Sequence, residues 1–120
     1  MTGRRQALLL AAALLLSATS AFHMTGLGMI APLVADPPGG WNYVRIFEML
    51  WIGPAFAWAI VAVIWVMAAL RPAVVSRPVV LVTALIPLGF AAALFVVVGF
   101  AFPGPWMLIA ASVTAIAAKR

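Results

Sequence analysis

The chain has 120 residues, 68% of them hydrophobic and 8% charged, with a mean hydropathy of +1.24. An ordinary soluble domain is about 45–50% apolar and about 25% charged, so a water-soluble fold and a disordered tail are excluded, and a chain without Cys cannot be a disulfide scaffold. The formal net charge of +5 has no polar domain to sit on, which places it at a membrane border beside anionic lipid and excludes a nucleic-acid footprint.

Residues 6–35 carry no charge. About 20 apolar residues cross the ~30 Å hydrocarbon layer, so this stretch predicts a first helix over about residues 6–35. Residues 1–21 also have the form of a signal peptide: Arg4 and Arg5 precede an apolar run, and Thr19-Ser20-Ala21 offers small residues for cleavage. The apolar run continues to Ala35, where a mature secreted chain would turn polar, and this favours an uncleaved helix. His23, the only histidine, falls inside this helix. An ionisable group within a membrane span is costly and defaults to a functional hypothesis. On a helix it shares a face with Thr19, Ser20, Gly26 and Leu27. It is a candidate proton-relay group, haem ligand or quinone partner. The plainer reading is an imidazole hydrogen-bonded to a neighbouring helix or to the Thr19 carbonyl.

Asp36-Pro37-Pro38-Gly39-Gly40 predicts an exposed turn, and Asn42 can cap a second helix over about residues 42–70, which Arg71-Pro72 stops. Arg45 and Glu48 stand three apart near its start and form a candidate interfacial pair. Glu48 could alternatively face a cavity near His23. Trp51, Trp58 and Trp65 recur every seven residues and make one stripe along the helix, read first as packing. Gly53-Pro54 predicts a kink.

The charge-free run 78–118 is too long for one span and is broken at Phe102-Pro103-Gly104-Pro105. It reads as a hairpin of two helices over about residues 78–101 and 105–118. Pro78 suits the first position of the third helix, and Pro87 with Gly89 predicts a kink there. The fourth is the weaker span; its entry as a hairpin with the third, and snorkelling by Lys119 and Arg120, would help it insert. Gly53-x-x-x-Ala57, Gly89-x-x-x-Ala93 and Ala110-x-x-x-Thr114-x-x-x-Ala118 allow close helix approach.

The expected fold class is therefore an all-α integral membrane protein: a single membrane domain, residues 1–120, with four transmembrane helices in an up-down-up-down bundle. Arg4, Arg5, Arg71, Arg77, Lys119 and Arg120 would share one border; Arg45, Asp36 and Glu48 would share the other. The basic border is cytoplasmic by the positive-inside rule, with both termini there. Trp41, Tyr43, Trp51 and Trp106 then fall at the outer border, where amphipathic rings belong. A bias to Ala, Val, Arg and Pro with a single Lys suggests a GC-rich bacterial genome and hence the inner membrane.

The sequence holds no cluster of metal ligands, no phosphate loop and no Ser-His-Asp set, so no catalytic residue, metal or cofactor is assigned and an enzyme is not expected. In length and number of spans the chain is similar to the small multidrug resistance exporters. Those carry a membrane glutamate in the first helix, where this chain has only His23, and the family is not adopted. The expected function is an accessory or structural subunit working through helix–helix contacts with other membrane protein subunits or as a homo-oligomer, in contact with membrane lipid. The alternatives are a small transporter or channel using His23 and Glu48, and a redox-associated membrane anchor contacting haem or quinone.

Overall fold

The structure, a computed structural model, describes residues 2–34 and 43–118. The expected turn at 36–40, Trp41, the Asn42 cap, Lys119 and Arg120 lie outside the described residues, as does the side chain of Tyr43. The described chain is all helical: α1 (Thr2–Ile30), a 3-10 turn (Ala31–Val34), α2 (Tyr43–Leu70), α3 (Arg77–Val98) and α4 (Pro103–Ala117). The first three are long and apolar enough to cross a membrane; α4 is apolar but shorter.

Cross-helix contacts fix the antiparallel order. Arg5 Nη1 donates to Ala68 O at 3.4 Å near one end of the α1–α2 pair. Ser20 Oγ donates to Ala55 O at 3.0 Å further along. Residue numbers rise on α1 as they fall on α2. The same reversal links α2 to α3, where Trp65 meets Thr83 and Trp58 meets Phe90. Phe22, late in α1, lies 6.1 Å from Phe102 at the head of α4. The result is an up-down-up-down bundle, 58 × 29 × 20 Å.

The helices pack at unequal distances because their facing residues differ in size. α4 lies between α1 and α3, and small residues line its inner face: Ala111, Ser112, Ala115 and Ala118 are all buried. Ala12 and Ala13 do the same on α1. With so little side chain between them the backbones approach closely. Of the expected Ala110, Thr114 and Ala118 stripe, Ala118 is buried but Ala110 is exposed, and α4 turns Ala111 and Ala115 inward instead. Of the helices that follow one another, α2 and α3 touch least. The indoles of Trp58 and Trp65, 1% and 0% exposed, stand between them with Leu9, Leu16 and Leu108 nearby in the same core.

Helix ends differ from expectation where proline chemistry decides. α1 turns to 3-10 geometry at Ala31 because Pro32 disfavours α conformation in the residue before it. α4 begins at Pro103, two residues before the expected 105, with both prolines in the first turn where no intrahelical N–H is needed. The break itself falls at Gly99, whose φ of 75° is costly for any residue with a Cβ. The indole of Trp106 donates to Phe100 O at 2.8 Å and closes this turn. Both α2 and α3 run on through Pro54 and Pro87.

Candidate functional site

The most concentrated polar chemistry in the described residues joins α1 to α2 around His23. His23 Nε2 lies 2.9 Å from Trp51 O. A carbonyl only accepts, so Nε2 carries a proton and donates. Trp51 Nε1 returns the bond, donating to His23 O at 2.8 Å. The two rings stack, with centroids 4.5 Å apart and planes 9° from parallel. Trp58 closes the other side edge-on, 5.1 Å away at 68°. Each hydrogen bond contributes about 0.6–1 kcal/mol and the ring stack about 0.5–1.5 kcal/mol, so the clasp is one of the strongest local links between these helices.

Two local features make room for it. A Cβ on Gly26 would lie 2.8 Å from Trp51 Cζ2, so glycine at this position lets the indole reach α1. Pro54 has no N–H and its ring pushes on the preceding turn, which loosens the carbonyl ladder of α2 there. Ser20 and His23 on α1 both donate to carbonyls beside it, Ala55 O and Trp51 O. Neighbouring polar side chains are the usual means of steadying a proline-containing membrane helix.

His23 lies about 27 Å from Arg5 along α1 at 1.5 Å per residue. That depth is level with the α3–α4 turn, as the Phe22–Phe102 contact also shows. The histidine therefore sits near one end of the bundle and not at its middle.

No protein family, curated protein or solved structure matches the chain.

The remaining candidates are placed as follows. Arg45 Nη1 and Glu48 Oε2 lie 3.4 Å apart, with side chains 75% and 32% exposed. A pair so open to solvent contributes about 0–1 kcal/mol. Among the described residues no hydrogen bond or ion pair joins Glu48 to His23. Trp51 belongs to the clasp, while Trp58 and Trp65 fill the core. Trp65 Nε1 donates to Thr83 Oγ1 at 2.9 Å, and that hydroxyl in turn reaches Val79 O and Val80 O. Trp58 Nε1 is buried without an acceptor. No group of three or more metal-ligating side chains occurs among the described residues.

The clasp was hidden in the sequence because it depends on register. Placing Arg5 level with Ala68, near opposite ends of the first two helices, brings His23 opposite Trp51. Gly26 then marks the gap the indole needs. Arg5 was another missed contact: its guanidinium caps a carbonyl in the last turn of α2, where a cation complements the helix dipole.

Proposed function

We propose that this chain is an integral membrane protein of four crossing helices that serves as an accessory or structural subunit, docking by its outer helix faces to other membrane helices. Twenty residues at 1.5 Å cover about 30 Å of hydrocarbon. Counted from Arg5 they reach Thr25; back from Ala68 they reach Glu48; from Arg77 they reach Val97. All three long helices thus offer the same slab, with cations at one border and the Arg45–Glu48 pair at the other. α4 covers about 22 Å and is carried across by α1 and α3, between which it packs. The positive-inside rule puts the border with Arg4, Arg5, Arg71 and Arg77 in the cytoplasm. Burial of Leu9, Leu16 and Thr19 in the core supports retention of the first 21 residues.

The observation that carries the docking role is the direction of the small residues. Gly53 and Gly89 are not spent on packing within the chain: a Cβ on either meets nothing within 4 Å. Ala93, one turn beyond Gly89, is exposed as well. Without a hydrophobic drive between helices in lipid, close approach at small residues is the main source of association. The inward hydroxyl and imidazole groups, by contrast, are occupied in tying this bundle together, as in the clasp, the Ser20 bond and the Thr83 bonds. The transporter and redox readings keep His23 as their one ionisable group between the two borders of the slab among the described residues, and it is engaged with Trp51.

Affinity purification of the full chain in mild detergent, with mass spectrometry and sizing, tests this. A stoichiometric membrane partner or a defined oligomer is expected. Gly89→Leu should disperse it while leaving the monomer folded, because the new side chain meets nothing inside. A monomer without partners, or a complex indifferent to Gly89→Leu and Gly53→Leu, would count against the docking role.

A further inference from the structure

The basic end of the bundle carries an arrangement that general attraction to a membrane does not require. Arg5 is half-buried and its Nε is enclosed by protein without an acceptor. Among the described residues its one hydrogen bond is the long one from Nη1 to Ala68 O, 3.4 Å. Arg71 follows Ala68 by one helical turn, its own N–H bonded to Met67 O at 2.7 Å, so its stem leaves the same side of α2 that Arg5 covers. Arg4 is exposed and Arg77, opening α3, is half-buried. Among the described residues no carboxylate answers these cations: Glu48 is at the other end with Arg45. A partly desolvated guanidinium is costly unless a counter-charge meets it. Apolar surface continues from Arg71 into the slab at helical spacing, with Met67, Val63 and Ile60 exposed at 40%, 58% and 46%.

We infer that Arg5 and Arg71 hold the phosphodiester of one anionic phospholipid in the inner leaflet, its acyl chains lying along Met67, Val63 and Ile60. Two guanidinium forks suit phosphate oxygens, and the adjoining apolar strip suits a lipid and not a free anion. Arg4 and Arg77 add to the local field. The inference rests on the membrane reading above and deepens it, naming a bound lipid where that reading asks only for a border.

The test is native mass spectrometry of the full chain in mild detergent with equal amounts of phosphatidylglycerol and phosphatidylcholine, beside flotation with vesicles of the same lipids. One phosphatidylglycerol should stay bound in preference to phosphatidylcholine, by about fivefold for each arginine that meets the headgroup. Arg71→Gln, at an exposed position, should lower that retention about fivefold, and Arg45→Gln at the far end should not change it. Inorganic phosphate at matched concentration should fail to displace the lipid. Equal retention of the two lipids, equal loss in Arg45→Gln and Arg71→Gln, or displacement by phosphate would overturn the site while flotation still upheld the membrane reading. A chain that remained in the aqueous fraction would overturn both.

Discussion

Thr83→Val should destabilise the bundle although it keeps the shape of the side chain. Trp65 is 0% exposed and its Nε1 donates to Thr83 Oγ1 at 2.9 Å. Removing the hydroxyl strands that N–H in the core. A buried orphan donor costs about 1–3 kcal/mol in water-soluble proteins, and hydrogen bonds within membrane bundles average about 0.6 with a ceiling near 1.7 kcal/mol; about 1–2 kcal/mol is expected here. Trp65→Phe removes the donor instead. It leaves no orphan, since Thr83 still reaches Val79 O at 2.8 Å. Trp58→Phe supplies the control: Trp58 is equally buried, but its Nε1 has no acceptor to lose. Trp65→Phe should therefore exceed Trp58→Phe by about 0.6–1.5 kcal/mol. The double variant Trp65→Phe/Thr83→Val should cost less than the sum of its parts by a similar amount. Reversible unfolding in mixed detergent and sodium dodecyl sulfate, followed by circular dichroism, measures all four. Strict additivity of the pair, or a larger cost for Trp58→Phe than for Trp65→Phe, would refute the bond.

The His23 clasp yields two further expectations by the same measurement. Gly26→Ala should cost about 1–3 kcal/mol, since its Cβ would lie 2.8 Å from Trp51 Cζ2, whereas Gly28→Ala, where a Cβ meets nothing within 4 Å, should cost no more than a neutral surface change; equal effects would remove the case for a close approach. His23→Phe keeps a ring against Trp51 but loses the Nε2 donor and should cost about 0.5–1.5 kcal/mol. His23→Ala also loses the stack and should cost about 0.5–1.5 kcal/mol more. If the two variants behave alike, the parallel rings contribute nothing.

The helices were legible because the forces that bound them are local. The charge-free runs 6–35, 49–70 and 78–118 mark the spans, and proline, glycine or charged residues punctuate their ends. Where the reading missed, two local signals competed. Phe102-Pro103-Gly104-Pro105 reads as a break between helices, yet proline is also a good first-turn residue, and α4 starts at Pro103, two residues before the expected 105. What the sequence could not display were contacts set by register and rotation. His23 reads as an isolated polar group inside a span until α1 and α2 are aligned; then Trp51 satisfies it. Gly53, Gly89 and Ala118 stand in the same small-residue pattern, but the two glycines open outward and Ala118 is buried in the core. Which face of a nearly uniform apolar helix turns inward depends on its neighbours, and here bulky Trp58 and Trp65 settle it for α2.

Site-directed labelling in sealed, right-side-out vesicles tests the crossing pattern most directly, because a chain without Cys lets single-cysteine variants report alone. Ala101→Cys, in the α3–α4 turn, should react with an impermeant maleimide from outside. Ser76→Cys, in the α2–α3 turn, should react only after the vesicles are opened, and Leu85→Cys, midway along α3, in neither condition. Reaction of Ser76→Cys and Ala101→Cys from the same side would mean that α3 does not cross the bilayer, and the four-helix membrane account would fall with it.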